Sequence, residues 1–227
     1  EVVAAKPTPI QCVRRKLRIL WAVERFDLKR APGFGPKSGV FGQAAQEQTR
    51  IVQRHFGMKP TGRWSAELKA KLDRAGAPSL LVVKHKWPWR RSLSRRIGAP
   101  TAKVWHHAAA VRLSPDRLWA IHIGNGWNGI GYTRYVEKSG RIHAGRPLWA
   151  YGAHAGTSAG NAQPGICCEG NYDGPDRVMP LEQRIAAMFV DAELDIYFGR
   201  KLVDKRHRDY VPTACPGRHF PFKQVTS

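Results

Sequence analysis

Acidic residues are scarce in this chain: 17 Asp and Glu stand against 38 Lys and Arg in 227 residues, a formal net charge of +21. Such a surface attracts a polyanion, but it fixes only the sign of the partner. Long apolar runs are missing as well. None approaches the roughly 20 residues that span a bilayer, so no membrane span is expected. Leu80 to Val83 reads as a short buried strand. Residues Glu1 to Lys6 carry neither an initiator Met nor a signal h-region, which leads to the expectation of a processed or trimmed chain. Cysteine is limited to Cys12, Cys167, Cys168 and Cys215. A bond between neighbours is strained, so Cys167 and Cys168 are expected to be reduced and buried rather than part of a disulfide framework. No internal repeat is visible. What remains, 42% hydrophobic and 24% charged residues, is ordinary for a soluble globular protein of one medium domain or two small ones.

Residues 10 to 75 read as a small helical unit. Val13, Leu17, Leu20 and Glu24 recur at spacings of three and four, the period of an amphipathic helix. A loop rich in Gly and Pro runs from Lys29 to Gly42. The next helix carries Ala45, Thr49, Val52 and Phe56 on one face and stops at Gly57. A third starts after Ser65 as N-cap, with Leu68 and Leu72 turned inward. The segments Gly39-Val40-Phe41-Gly42, Thr49-Arg50, Gln53-Arg54 and Phe56-Gly57-Met58-Lys59-Pro60-Thr61-Gly62 resemble the peptidoglycan-binding three-helix domain found beside many cell-wall hydrolases. Residues 1–75 are therefore expected to form a small all-α domain. Residues 76–100 read as a basic linker, punctuated by Gly76, Pro78, Pro88, Gly98 and Pro100 and holding Arg90-Arg91 and Arg95-Arg96. Trp87 and Trp89, set among those charges, could touch glycan or pack on either domain, and packing is expected.

From Thr101 the texture becomes α/β, and residues 101–227 are expected to form a mixed central sheet flanked by helices. Lys103 to His106 is a strand candidate, and a helix capped by Ser114 runs from Pro115 to about Gly124. Tyr132 to Val136 and Arg141 to Ala144 read as a hairpin, and Gly165 to Glu169 as another strand. Leu181 to Phe198 is the clearest helix, with Ile185, Met188, Phe189, Ala192 and Ile196 as its buried stripe.

His207 and Cys215 lie in one short piece in which Pro212 and Pro216 forbid a helix, so an ordered loop can bring both side chains to one point. His106 or His107 is available on a strand as a third ligand. Two imidazoles, one thiolate and a water make a catalytic zinc arrangement, whereas a structural site closes all four positions with protein.

Seven segments then occur in a telling order. They are Trp105-His106-His107-Ala108-Ala109, Gly126-Trp127-Asn128-Gly129-Ile130-Gly131-Tyr132, Gly140-Arg141-Ile142, Ala144-Gly145-Arg146, Gly152-Ala153-His154-Ala155-Gly156, Gly165-Ile166-Cys167-Cys168-Glu169-Gly170-Asn171, and His207-Arg208-Asp209 with Cys215-Pro216-Gly217. Over residues 101 to about 220 the chain resembles the zinc-dependent N-acetylmuramoyl-L-alanine amidases of the phage-lysozyme and peptidoglycan-recognition-protein type. The resemblance implies Zn2+ held by His106, His207 and Cys215, with His107 left to pack or to meet substrate. It puts Tyr132 on the catalytic tyrosine and His154 on a histidine lining the substrate groove. Two residues before the cysteine some members carry Lys and others Thr; Thr213 here implies a neutral donor to the oxyanion. Cys168 departs from the larger apolar residue usual at its strand position, and the last helix of the family is expected to be short or missing. The implied reaction is hydrolysis of the bond between N-acetylmuramic acid and L-alanine, at the bacterial cell wall, by a secreted enzyme or a phage endolysin. Peptidoglycan and anionic wall polymers are the implied partners, with no nucleic acid expected and a monomer as the working form.

Three other readings compete. Gly156-Thr157-Ser158-Ala159-Gly160 fits a serine-hydrolase motif, which works only at a strand-to-helix elbow. Gly160, Asn161 and Pro164 follow at once, so no helix is expected there. A nucleic-acid module rests on dispersed charge with no motif. A wall-recognition protein without turnover is disfavoured by the retained Cys215 and Tyr132.

Overall fold

The computed structural model describes residues 5–226, so the expectation attached to the amino terminus falls mostly outside them. Helix α1 (Pro9–Arg25) starts at a reciprocal cap: the Thr8 N–H donates to the Gln11 side chain, and the Thr8 hydroxyl accepts from the Gln11 N–H. Helices α2 (Gln43–His55) and α3 (Ala66–Arg74) follow, the latter capped by Ser65. Val13, Leu17, Val52, Leu68 and Leu72 are buried between the three, as their spacing predicts.

Among the described residues six strands form one mixed sheet in the order β1-β4-β3-β5-β2-β6. They are β1 (Val82–Val83), β2 (Ala102–His107), β3 (Arg134–Val136), β4 (Ile142–Ala144), β5 (Gly165–Cys168) and β6 (Val203–Arg206). Only the β3–β4 hairpin is antiparallel. Helix α4 (Pro115–Gly124) begins at its Ser114 cap and packs on one face of the sheet; α6 (Leu181–Phe198) packs on the other. A short α7 (Phe222–Thr226) follows.

Strand alternation sorts the sheet's side chains. Trp105, Ile166, Cys168 and Val136 face α6, while Tyr135 and Cys167 belong to the smaller cluster beneath α4. Cys167 and Cys168 thus point to opposite faces, and both are free and fully buried. The pairing register sets His106 beside Cys167 and Trp105 beside Arg206, so His207 emerges next to His106.

Three expectations need amending. Ile196 is 36% exposed, and α6 is instead buried on two sides: Ala186, Ala187, Val190 and Leu194 join Ile185 and Phe189. The reason is α1, which lies across the outer side of α6 and shares its core. Arg14 sits over the Phe189 ring, Trp21 Nε1 donates to Glu182 at 3.1 Å, and Lys37 reaches the buried Asp191 at 2.7 Å. Second, Leu80 is buried, but Leu81 to Val83 make an exposed edge, with Val82 paired in parallel to Ile142. Third, a short helix α5 (Ser158–Asn161) does begin at the serine-hydrolase-like motif, because the Thr157 hydroxyl caps the Gly160 N–H. No strand leads into it, so the elbow geometry is still missing.

The segment from 84 to 97 is tied to the sheet at several points. Trp87 Nε1 donates to the Ala144 carbonyl at 2.9 Å, and Asn128 brackets the Arg91 backbone through two bonds. Arg96 donates to the Ala150 carbonyl at 2.9 Å, and the Tyr151 N–H donates to Ser94 at the same distance. Trp87 and Trp89 pack with Trp119 around the smaller core.

Candidate metal centre

His106 lies near the carboxyl end of β2, and His207 opens the 3-10 turn His207–Asp209 that follows β6. The parallel β2–β6 register makes these two side chains neighbours. Cys215 returns to them through a loop closed on itself: the Arg208 N–H donates to the Cys215 carbonyl at 3.1 Å, and the Arg208 side chain donates to the Ala214 carbonyl at 2.6 Å. One ligand atom from each of His106, His207 and Cys215 lies within 4.8 Å of the others, and all three side chains are wholly or partly buried. His106 Nδ1 is 3.7 Å from Cys215 Sγ.

The electrostatics suit a cation. Burial, reinforced by the neighbouring imidazoles of His154, His207 and His107, holds His106 well below the usual histidine range. Burial also lowers His207, opposed by a hydrogen bond to the Ala155 backbone. Both rings therefore offer lone pairs at neutral pH. Burial pushes the Cys215 thiol up to about 11, against the pull of the His107 backbone N–H and Arg208. Its thiolate needs a positive partner. His207 Nε2 is buried with no hydrogen-bond partner among the described residues, an orphaned nitrogen whose lone pair a metal ion would take. The donor set fits zinc: two imidazoles and a thiolate are the borderline-soft ligands that this ion takes.

His154 is placed behind His106 rather than along an open groove. Its ring fills a slot between Gly152 and Gly165, where an added Cβ would come within 2.6 Å of it. Nδ1 of His154 meets Nε2 of His106 at 3.0 Å, and its Nε2 meets the Gln163 carbonyl at 3.1 Å. A carbonyl only accepts, so His154 carries its proton on Nε2 and accepts at Nδ1. His106 must then donate from Nε2, which leaves its Nδ1 bare toward Cys215. Burial lowers His154 to about 3, keeping it neutral.

Tyr132 stands over the centre, its ring 5.1 Å from that of His106. Its hydroxyl bonds to the Cys167 thiol, and burial, aided by Cys167 and Cys215, drives its pKa well above the usual value. The phenol keeps its proton and remains a donor. Thr213 is exposed, and its oxygen accepts the Cys215 N–H at 3.3 Å, which leaves the hydroxyl proton unspent. His107 turns away to accept the Tyr172 N–H at 3.0 Å. Sequence reasoning missed two residues here. Cys167 looked like core only, although its register with His106 puts it under Tyr132. His122 accepts the Gly131 N–H at 3.1 Å and so fixes the loop that delivers Tyr132.

No family model matches the chain. Among solved structures, the N-acetylmuramoyl-L-alanine amidase LysC from Clostridium intestinale is similar with a TM-score of 0.59 and 33% identity, over 64% of this chain and 94% of that one. Drosophila PGRP-LB matches with a TM-score of 0.56 at 24% identity, over 65% of this chain and 93% of that one, a likeness of fold. The endolysin of Klebsiella phage KP32 is 29% identical over 126 residues, 51% of this chain and 80% of that protein.

Proposed function

This chain belongs to the N-acetylmuramoyl-L-alanine amidases, and on that premise we propose that His106, His207 and Cys215 hold a zinc ion at its active centre. The enzyme hydrolyses the amide between N-acetylmuramic acid and L-alanine in peptidoglycan and acts at the bacterial cell wall. The observation that carries the zinc reading is the unpartnered, buried His207 Nε2 within a three-ligand cluster. Zinc supplies Lewis acidity toward the scissile carbonyl and lowers the pKa of water to about 7.

The chain's own residues do the rest. His154 orients His106 and holds its proton on Nε2, the supporting contact that ligating histidines depend on. Tyr132 donates its hydroxyl to the oxygen that gains charge as the carbonyl is attacked, and Thr213 adds a second neutral donor at the rim. Both are fixed before substrate arrives, so little reorganisation opposes the reaction. Residues 1–75 serve as a wall-binding unit, supported by the resemblance of their motifs, and the basic residues of 76–100 add attraction for anionic wall polymers.

Metal analysis of the purified chain, combined with end-group analysis of digested wall, tests this. One zinc per chain and new free L-alanine amino termini are expected. Release of those termini by metal-free chain would sink the zinc assignment.

A further inference from the structure

Arg146, two residues beyond β4, is 6% exposed and has no ion pair among the described residues. Burial lowers its pKa from the usual value, and no carboxylate opposes that shift. A buried cation without a counter-charge must be held by dipoles. Its Nε donates to the Ile130 carbonyl at 2.9 Å, its Nη1 donates to the Tyr151 carbonyl at 2.9 Å, and the guanidinium lies 5.8 Å from the centre of the Trp89 ring. The bond to Ile130 has a counterpart. The Ile130 carbonyl and the Gly131 N–H belong to one trans peptide plane, and His122 Nδ1 accepts that N–H at 3.1 Å. Arg146 and His122 thus grip the same peptide from opposite edges, one residue before Tyr132. The atoms that follow are held as well. The Gly131 carbonyl accepts the Ala153 N–H at 3.2 Å, and the Tyr132 carbonyl accepts the Arg146 N–H at 2.7 Å. Neither contact leaves room for a side chain: a Cβ on Gly131 would collide with the Ala153 carbonyl oxygen, and one on Gly145 with the Tyr132 carbonyl oxygen.

We propose that Arg146 is a positioning residue for the amide hydrolysis: with His122 it clamps the Ile130–Gly131 peptide and so holds the Tyr132 hydroxyl where the oxyanion forms. The inference rests on reading Tyr132 as the oxyanion donor. Arg146 itself is too deeply buried to touch a substrate, and Tyr132 is its route to the reacting carbonyl. A donor acts at full strength only when its place is set before the charge develops. Lysine cannot stand in, because one ammonium lacks the rigid fork that reaches carbonyls on two different segments. The ligand His106 is supported separately. Its partner His154 is fixed by Asn161, whose Oδ1 accepts the His154 N–H at 2.8 Å and the Ala155 N–H at 2.9 Å. Loss of the clamp should therefore be felt in the rate and not in the metal.

The test is a double-mutant cycle on a soluble muropeptide, with the full chain loaded with zinc. Arg146→Lys is expected to lower kcat roughly 10- to 100-fold, while KM and the zinc affinity measured by chelator competition stay as they were. In a Tyr132→Phe background the same substitution should lower kcat by less than about twofold, because no hydroxyl is left to misplace. An equal fall in both backgrounds would mean that Arg146 acts through the fold at large, and would overturn the proposal. So would a raised KM with kcat unchanged. Wild-type kcat in Tyr132→Phe alone would instead remove the premise that Tyr132 donates, and the proposal with it. The melting midpoint checks folding. If Arg146→Lys does not fold, Trp89→Leu, which takes away the ring beside the guanidinium, enters the same cycle with the same expected pattern at smaller amplitude.

Discussion

His106 and His154 meet edge to face, Nε2 to Nδ1 at 3.0 Å, with their ring planes 83° apart. The second ring cannot turn, because Gly152 and Gly165 leave room for the imidazole and nothing else. One backbone carbonyl, that of Gln163, thereby decides which nitrogen of His106 is bare.

His154→Ala is therefore expected to weaken zinc binding about 10- to 100-fold. Competition with a chelator measures this, and the cobalt-substituted protein should show an altered visible spectrum. Unchanged affinity with the fold intact would reduce His154 to packing.

Cys215→Ser should abolish turnover and weaken zinc binding further than His154→Ala does, because it removes the softest donor of the set. A serine variant with one zinc per chain and near-normal activity would disprove the ligand assignment.

Tyr132→Phe keeps the ring and loses only the donor. Removal of one oxyanion donor typically costs about 10²–10³ in kcat, while zinc content and melting midpoint should stay as they were. Wild-type kcat in that variant would leave Tyr132 as a lid over the imidazoles.

Burial, with help from Arg146, lowers His122 to about 4. Unfolded histidine binds its proton near 6.5. Between those values the unfolded chain carries a proton that the folded chain refuses. The His122 contribution is thus full above about pH 6.5 and is lost as pH falls toward 4, at a cost of roughly 3 kcal/mol. His122→Gln should flatten the dependence of unfolding free energy on pH by about one proton across this window. Denaturant titrations at pH 7, 5.5 and 4 compare the slopes; equal slopes would exclude His122 as the source.

A chain starting near Pro100 loses α1 from the outer side of α6 and loses β1 from the sheet edge. Phe189, 1% exposed in the full chain, would meet water. The truncated protein is expected to melt well below the full chain and to self-associate. Equal midpoints for the two would establish residues 1–75 as an independent domain.

Local chemistry was readable in the sequence. Ser65 and Ser114 mark helix starts that the structure keeps, because a cap acts within one turn. The segment from 84 to 97 was not readable as a strap. The two-residue strand β1 just before it and its own bonds to Asn128 and Ala144 depend on partners 37 to 60 positions away, and punctuation by Gly and Pro says nothing of those. Ser158 misled for a related reason: a four-residue turn needs only the Thr157 cap, and glycine nearby does not forbid it. The proposed ligands His106, His207 and Cys215, which the structure brings together, were legible from motifs, whereas the nearness of Cys167 to Tyr132 follows from strand register.

Helix α6 offers a different kind of legibility. A helix that lies on a sheet with its other side in water shows one apolar stripe, yet this one is apolar around most of its circumference. Such a pattern is the imprint of a layer above, written in the sequence of the layer below. In a relative without the amino-terminal helices, the positions of Phe189 and Val190 should revert to polar side chains. Scanning this one helix for the loss of its second stripe would then sort amidases that carry a docked unit from those that stand alone.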